Sequence, residues 1–432
     1  MERCVGIIGG GAAGMMAAIT AARKGAKVTI CEAGERLGQK ILSTGNGKCN
    51  LGNLFLDARQ YHGSCLFLQD ALDQFGVKET ISFFEGLGVM IKERDGYLYP
   101  RSEQASTVLD ALRFEIKALG IRVLTGFRVK EILPAKGKGW KVLAEGGSEC
   151  FDAVVITCGG QAMPKTGSDG SGYRLAKMLG HEVTSVMPAL TFVKCKEDYF
   201  KAISGVRTEA ELELLKKDGK VLCMERGELQ ITESGLSGIP VFQMSGTIAR
   251  ELQRQKEVKV RVDLMPDVSY KSMDARKEME SGNAYMERFK TVTETTLEDL
   301  VNERMKLRKE RTVEECLNGI LPKKLLLFLL KMAGIKGTEP AENLPKEAVL
   351  KVLAQAKNWE TYVISTGSWQ NCQVCAGGVD CRQVSERFES KLKKGIYFAG
   401  EILDVDGRCG GYNLQWAWTS GYLAGLAAAE RQ

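Results

Sequence analysis

The stretch CVGIIGGGAAG, residues 4–14, decides the fold of this chain. It opens with a short apolar run of the kind that a buried parallel strand shows, and an alanine-rich helix follows to about Lys24. Between them, Gly9, Gly11 and Gly14 stand at the G-x-G-x-x-G spacing. The first glycine permits a tight turn, the second lets a pyrophosphate approach the backbone, and the third lets the helix lie close to the sheet. We therefore predict a dinucleotide site, with phosphates at the helix N-terminus.

The next strand, KVTICE at residues 27–32, ends in a carboxylate at the position that this fingerprint requires. Glu32 is expected to accept hydrogen bonds from ribose hydroxyl groups, and its charge would repel a 2′-phosphate. FAD and NAD share the fingerprint, so the choice between them depends on the rest of the chain.

Two distant segments favour FAD. A strand over residues 153–157 breaks into Gly159 and Gly160, which suits a return crossing over a bound dinucleotide. A strand over residues 396–399 leads into Glu401, close to the end of the chain. A site reached from the start, the middle and the end of the sequence indicates a long, deeply enclosed cofactor, and we predict FAD.

The C-terminal stretch GRCGGYNLQWAWTSGYLAG, residues 407–425, predicts how the chain would meet a flavin. No charged side chain occurs from Tyr412 to Ala429, so the helix is expected to be buried. A reduced flavin carries negative charge at its N1–C2=O edge, and a helix N-terminus would stabilise that charge. Gly411 allows close backbone approach, and Asn413 and Leu414 would present the first amides. An ordinary buried helix with a glycine cap is the compatible alternative.

The amino-acid composition limits the class of protein to which this chain can belong. A chain of 432 residues predicts two or three domains, and 44% hydrophobic with 26% charged residues is typical of a soluble globular protein. The net charge of +6 is small and no basic stripe is interleaved with aromatics, so nucleic-acid binding is not expected. Thirteen scattered cysteines indicate a reduced, cytoplasmic chain. The N-terminus has some features of a signal peptide, but its glycines fall at the nucleotide-binding spacing. The longest apolar run, LLLFLL at residues 325–330, is too short to span a membrane.

Taken together, the motifs resemble the BaiN/YhiN-type flavoproteins, a family of bacterial FAD-dependent oxidoreductases. The similar stretches cover nearly the whole chain and include STGNGKCNLGN, GYLYPRSEQASTVLDAL, GELQITESGLSGIP and GIYFAGEILDVDGRCGGYNLQWAW. The resemblance implies an α/β fold, with a Rossmann-like FAD-binding domain of the glutathione-reductase type interrupted by an inserted β-barrel domain and a helical subdomain. The expected boundaries are 1–190 and 373–432 for the FAD-binding domain, 191–265 and 359–372 for a barrel-like substrate domain, and 266–358 for the helical subdomain.

The middle of the chain agrees with this organisation. Residues 188–263 are strand-like, with hairpin punctuation at Asp218-Gly219, and residues 269–357 are helical and highly charged. The segment 361–369 then returns as a strand.

The residues themselves and the resemblance together give a set of expected FAD contacts. They are Gly9, Gly10, Gly11, Ala12, Ala13, Gly14, Glu32, Lys40, Ser43, Gly45, Asn46, Gly47, Cys49, Asn50, Cys158, Gly159, Gly160, Gly400, Glu401, Gly411, Tyr412, Asn413 and Leu414.

Several absences constrain the chemistry. No second G-x-G-x-x-G follows a strand, so a separate nicotinamide domain is not predicted, and no C-x-x-x-x-C suggests a disulfide reductase. Cys372 and Cys375 form a C-x-x-C, but no second ligand pair has metal spacing, so packing is favoured over zinc and no metal is expected. Family members often carry a histidine where Glu233 stands here, so any role of that histidine is missing.

The leading hypothesis is an NAD(P)H-driven reductase. The family includes members linked to reduction of conjugated C=C bonds in 3-oxo bile acids and steroids. A hydride from NADH or NADPH would reach the β-carbon of an enone through flavin N5, and the resulting enolate needs a hydrogen-bond donor and an acid. The candidates are Tyr97, Tyr99, Tyr412 and Glu233.

Two other functions stay open. The first is a flavin-dependent amine oxidase, of the kind that oxidises aminoacetone and returns electrons to oxygen. The second is a flavin-binding regulator without turnover. The sequence does not choose the substrate, the nicotinamide or the oligomeric state.

Overall fold

The computed structural model describes residues 2–269, 296–306 and 310–430. Contacts group the chain into two compact units, Met1–Leu190 with Ser368–Gln432 and Thr191–Gly367. The three-part domain division stays a prediction, and residues 270–295 of its helical subdomain lie outside the described residues.

The elements are numbered here in chain order. The strands are β1 Cys4–Ile8, β2 Lys27–Cys31, β3 Gly52–Asn53, β4 Tyr61–Gly63, β5 Ile91–Arg94, β6 Tyr97–Pro100, β7 Arg122–Leu124, β8 Val129–Pro134, β9 Trp140–Ala144, β10 Gly147–Phe151, β11 Ala153–Ile156, β12 Met187–Ala189, β13 Val193–Cys195, β14 Arg207–Leu215, β15 Val221–Thr232, β16 Gly235–Gly238, β17 Val258–Asp263, β18 Trp359–Thr366, β19 Val374–Ala376, β20 Ile396–Phe398 and β21 Val405–Gly407. The helices are α1 Ala12–Arg23, α2 Leu68–Gln74, α3 Val77–Gly86, α4 Ala105–Ala118, α5 Ser171–Met178, α6 Phe200–Ile203, α7 Ile239–Leu252, α8 Leu297–Lys306, α9 Val313–Leu317, α10 Lys323–Met332, α11 Lys346–Lys357 and α12 Tyr412–Ala429. Short 3₁₀ segments lie at Gln39–Gly47, Ala58–Gln60, Pro164–Thr166, Ala341–Asn343 and Cys381–Gln383.

A parallel sheet forms the centre of the first unit. Its strand order is β20-β11-β1-β2-β7, and every neighbouring pair is parallel. Strands β1, β2, β11 and β20 are short apolar runs whose residues are almost all buried, because a parallel sheet is covered rather than exposed to water, whereas the edge strand β7 is only half-buried. The predicted strands at β1, β2, β11 and β20 and the helix α1 are confirmed to within a residue or two at each end.

The uncharged C-terminal helix α12 packs against α1 through two glycines. A Cβ on Gly421 would lie 2.5 Å from the carbonyl oxygen of Ala13, and one on Gly425 would lie 2.4 Å from that of Ala17. Backbone therefore meets backbone, which explains why this helix carries small residues in place of a charged stripe. Its predicted span is confirmed.

Two small antiparallel sheets bring further loops to the start of α12. One has the order β3-β6-β5, with Asn53 opposite Tyr97, and the other pairs β4 with β21. A Cβ on Gly411 would lie 2.5 Å from the carbonyl oxygen of Gly52, so β3 runs directly against the beginning of the helix.

The second unit contains a closed barrel with the order β13-β16-β15-β14-β17-β18. The hairpin predicted at Asp218-Gly219 joins β14 to β15. Inward side chains such as Leu212, Val260 and Val363 are buried in one core with residues of α7, α10 and α11. The predicted α/β fold with a Rossmann-like domain and an inserted barrel is confirmed.

Within the described parts of the chain, no helix combines the length and apolar character needed to cross a bilayer. The same residues contain no cluster of three potential metal ligands.

Candidate cofactor-binding cleft

A cleft with about 1380 Å³ of empty space, part of it open to solvent, lies in the first unit. It follows the carboxyl ends of β1, β2, β11 and β20, where open α/β sheets bind their ligands. The expected FAD contacts that line it are Gly9, Gly10, Gly11, Ala12, Ala13, Glu32, Lys40, Cys158, Gly159, Gly400, Glu401, Asn413 and Leu414.

The glycine turn between β1 and α1 is shaped by close contacts on one side and open space on the other. Gly9 has a φ of 103°, and a Cβ there would lie 2.7 Å from the carbonyl oxygen of Thr157. A Cβ on Gly14 would lie 2.0 Å from the carbonyl oxygen of Gly9. A Cβ on Gly11 would meet no heavy atom of the described residues within 4 Å. The first and third glycines are therefore needed for packing, and Gly11 leaves the backbone open to the cleft.

Glu32 is held at the edge of the cleft by two backbone amides. The N–H of Gly10 donates to Oε2 at 2.7 Å, and the N–H of Gly34 donates to Oε1 at 2.6 Å. Two carboxylate oxygens offer more acceptor sites than these two bonds use, so the fixed carboxylate can still accept from ribose hydroxyls.

An ion pair joins the loop after β2 to the end of β20. Lys40 Nζ lies 2.6 Å from Glu401 Oε2, and both side chains are about one-fifth exposed, at 22% and 20%. Glu401 Oε1 accepts a hydrogen bond from the backbone N–H of Cys375 at 3.0 Å. Both charged residues line the cleft, so this part of its wall is polar.

The N-terminus of α12 forms another part of the cleft wall. Gly411 is the N-cap residue of the helix, and its φ of 95° lies in the left-handed region. The side chain of Asn413 is already used: it accepts from the N–H of Gly407 at 2.8 Å and donates to the Gly407 carbonyl at 2.7 Å. Asn413 and Leu414 line the cleft, and they belong to the first turn of α12, where the backbone amides have no partner within the helix.

The other expected FAD contacts lie outside the lining. Gly14 is beneath the turn, Cys49 and Asn50 are buried, and Gly160 packs against Cys375. The remaining expected contacts lie in two places. Ser43, Gly45, Asn46 and Gly47 are in an exposed segment, and Gly411 and Tyr412 are at the start of α12. Their contact with the cofactor stays a prediction.

The proposed proton donors occupy different places. Tyr412 is buried; its hydroxyl donates to the Phe55 carbonyl at 3.3 Å. Tyr97 packs on Gly410, and the Tyr99 ring lies beside Gly45, so these two half-buried side chains flank the loops at the end of the cleft. Glu233 is exposed in the turn between β15 and β16 of the second unit. The structure thus brings Tyr97 and Tyr99 together, and their catalytic role stays a prediction.

The thiols near the cleft are protonated at neutral pH. Burial raises the pKa of Cys158, which lines the cleft, to about 12, and it does the same for Cys49. Burial and the nearby Glu401 carboxylate also raise the pKa of Cys375. Because the thiolate is the reactive form, these residues suit packing better than redox chemistry.

Sequence reasoning missed several residues of the lining. Arg36 and Arg128 bring two guanidinium groups to it, and Arg128 pairs with Asp169. Gln373, between Cys372 and Cys375, also lines the cleft. Arginines at the start of a strand or in a loop have no local signature, so only the folded arrangement identifies them.

Comparison with known proteins now identifies the family. The family model described as the HI0933-like protein Rossmann domain matches residues 3–427. The chain belongs to this HI0933-like family. The resemblance drawn from the sequence motifs is therefore confirmed.

Relatives of this HI0933-like protein share its whole length. It is 43% identical over 431 residues to the 3-dehydro-bile acid delta(4,6)-reductase of Clostridium scindens, with 99% of each chain covered. It is 28% identical over 434 residues to the ribosomal RNA dihydrouridine synthase of Haemophilus influenzae, with 98% of each chain covered. Among solved structures, 3-ketosteroid-Δ4-(5α)-dehydrogenase of Rhodococcus jostii aligns with a TM-score of 0.48 at 15% identity, over 100% of this chain and 97% of the other.

The cleft fits FAD on its own observations. The open backbone at Gly11 leaves room for a pyrophosphate, and Glu32 is fixed where a ribose would lie. The N-terminus of α12 offers backbone amides and a partial positive charge to an electron-rich ring edge.

Proposed function

We propose that this chain is an FAD-dependent oxidoreductase that reduces a C=C bond conjugated to a carbonyl. The proposed substrate is an apolar enone of the 3-oxo steroid or bile-acid type, and the proposed electron donor is NADH or NADPH. One observation carries the proposal: the glycine turn of Gly9–Ala13 and the tip of α12 line the same cleft. The 43% identity to a bile-acid reductase supports the choice of substrate class.

In this proposal, the protein holds both ends of the FAD molecule. The turn at Gly11 and the N-terminus of α1 would hold the pyrophosphate, and Glu32 would hold the ribose. The first turn of α12, with Asn413 and Leu414, would stabilise negative charge on the ring. When bound, FAD supplies the hydride chemistry that the protein side chains lack.

A tyrosine hydroxyl is the best candidate for the proton donor. Tyr97 and Tyr99 are half-buried and flank the loops at the α12 end of the cleft, whereas Tyr412 is buried. A phenol can donate to the enolate oxygen or protonate the α-carbon, which are the two tasks that reduction of an enone requires. We keep Glu233 as a weaker candidate because it is exposed in the second unit.

The names of the relatives point to a shared chemistry on different substrates. A delta(4,6)-reductase and a dihydrouridine synthase both saturate a C=C bond, according to their names. We propose the steroid-like enone rather than RNA because the identity to the bile-acid reductase is 43%, against 28% to the RNA enzyme. A cytoplasmic location is part of the same proposal.

The test is an anaerobic turnover assay on the FAD-loaded protein. A 3-oxo-4-ene and a 3-oxo-4,6-diene steroid are supplied with NADH or NADPH, and mass spectrometry follows the product. The proposal expects nicotinamide oxidation and a product that has gained one hydrogen molecule. Turnover only with aminoacetone and oxygen would contradict the proposal and identify an amine oxidase. Turnover only with uridine-containing RNA would contradict it and identify an RNA reductase. Bound FAD without any turnover would favour the regulator.

A further inference from the structure

Four residues of the first unit present apolar or aromatic side chains beside the α12 end of the cleft. We call Leu54, Phe55, Tyr97 and Tyr99 the aromatic rim. Leu54 is 51% exposed and Phe55 is 53% exposed, and the two tyrosines are half-buried. A contiguous exposed apolar surface often marks a binding site.

The backbone of the rim is held rigidly although its side chains face water. Leu54 donates its N–H to the Gly96 carbonyl at 2.8 Å, and Phe55 donates its N–H to the Asn53 side chain at 2.9 Å. The Phe55 ring covers Gly96, where a Cβ would lie 2.3 Å from the ring. A surface that is ordered before a ligand arrives loses less conformational entropy on binding.

Hydrogen bonds and close packing also join the rim to the helix tip. Asn53 Nδ2 donates to the Gly410 carbonyl at 3.0 Å, and the Tyr412 hydroxyl donates to the Phe55 carbonyl at 3.3 Å. The Tyr97 ring would lie 2.5 Å from a Cβ on Gly410. The rim is therefore continuous with the turn that begins α12, whose next residues line the cleft.

The two tyrosines extend this surface towards the other loop of the cleft. Tyr97 and Tyr99 alternate with the buried Leu98 along β6, so they share one face of the small sheet. The Tyr99 ring lies 3.8 Å from a Cβ position on Gly45, next to Thr44, which lines the cleft. Aromatic side chains thus run from the turn at Gly410 to the loop at Gly45.

We propose that the aromatic rim binds the fused apolar rings of the substrate and so sets the preference for large enones over small ones. This inference rests on the proposed function, because it assumes that the reacting bond lies at the α12 end of the cleft. Flat aromatic side chains offer a large apolar contact area and specific stacking geometry, which suits a rigid fused-ring ligand. Leu54 and Phe55 are the specificity-determining residues in this account.

The test compares a large and a small enone on variants of the FAD-loaded protein. Phe55→Ser and Leu54→Gln are expected to raise KM for a 3-oxo-4-ene steroid by about fivefold or more, because each removes apolar contact with the rings. The value of kcat/KM for 2-cyclohexen-1-one, which is too small to reach Leu54 and Phe55 from the proposed proton donors, should fall by less than about twofold. Steroid affinity measured from the perturbation of the oxidised flavin spectrum should fall in parallel with the rise in KM.

Phe114→Ser is the matched control, because Phe114 is 70% exposed on α4. This variant should leave KM for the steroid and kcat/KM for 2-cyclohexen-1-one unchanged. Flavin content and thermal stability are measured for every variant. Equal losses for both enones, or no change in steroid affinity, would overturn the inference. If Phe55→Ser fails to fold, Leu54→Gln decides. A wild-type protein that reduces neither enone would instead contradict the proposed function itself, which separates the two failures.

Discussion

At the scale of the residue, the cleft depends on where side chains are missing. Gly9 and Gly14 are surrounded by backbone oxygens of Thr157 and Gly9, whereas the space above Gly11 is open. The three glycines of one motif therefore have two physical roles. Two of them allow the turn and the helix to pack, and one leaves room for a ligand.

Substitution separates these roles. Gly11→Ala should leave the free energy of unfolding nearly unchanged, since its new methyl group meets open space, but it should weaken FAD binding by about tenfold or more because it occupies the approach of the pyrophosphate. Gly14→Ala should destabilise the fold, because its methyl group would lie 2.0 Å from the carbonyl oxygen of Gly9. Denaturant unfolding and FAD titration of the apoprotein measure both effects. Equal FAD affinity for Gly11→Ala and wild type would contradict the placement of the pyrophosphate.

A buried histidine gives a second prediction at this scale. His181 is only 3% exposed, its Nε2 lies 2.7 Å from Ser390 Oγ, and burial lowers its pKa from 6.5 to about 4. The unfolded chain binds the proton more tightly, so stability should fall as the pH drops from about 6.5 towards 4, by on the order of 2 kcal/mol. His181→Gln should flatten this part of the pH profile of unfolding, while an unchanged slope would show that other groups are responsible.

The individual residues of the site could be predicted only in part. Gly9, Gly11, Glu32 and Glu401 stand in local patterns whose chemistry is readable, and all four line the cleft. Arg128 was missed because its place depends on the folding of β8 against the rest of the unit. Hydrogen-bond partners were missed for the same reason. For example, the Asn413 side chain forms its hydrogen bonds with Gly407, just before its own helix.

At the scale of the element, the contact between α1 and α12 supports the cleft. Both helices begin at the cleft, and they touch backbone to backbone at Gly421 and Gly425. This contact helps to hold α12, and with it the helix tip, in position. The apolar, uncharged sequence of α12 predicted its burial, but its partner could not be predicted because α1 lies at the other end of the chain.

This contact reverses the usual effect of a substitution. Replacing glycine by alanine inside a helix normally stabilises it by about 1 kcal/mol. Gly421→Ala should instead lower the free energy of unfolding, by about 1–3 kcal/mol, because its methyl group would lie 2.5 Å from the carbonyl oxygen of Ala13. Gly86→Ala, at the end of α3, is the control, since no described heavy atom lies within 4 Å of its Cβ position. Chemical denaturation measures the free energy of unfolding of both variants. If both substitutions raise it, α1 and α12 do not pack as closely as described.

At the scale of the whole molecule, the cleft is assembled from segments far apart in sequence. The pair of Lys40 and Glu401 joins residues separated by 361 positions, and α12 returns the end of the chain to the glycine turn at its start. The fold class followed from motifs at both ends, because β1, β2 and β20 carry readable patterns. The barrel strands of the second unit were visible as strand-like runs, but their order in the closed barrel depends on pairings between distant strands.

The measurement that tests the central claim most directly is a single reaction of the reduced protein. The FAD-loaded protein is photoreduced without oxygen and mixed with a 3-oxo-4-ene steroid while the flavin spectrum is followed. We predict that the spectrum of the oxidised flavin returns in step with the saturated steroid. A preparation that binds no FAD, or a reduced flavin that the steroid leaves unchanged while oxygen reoxidises it rapidly, would contradict the account.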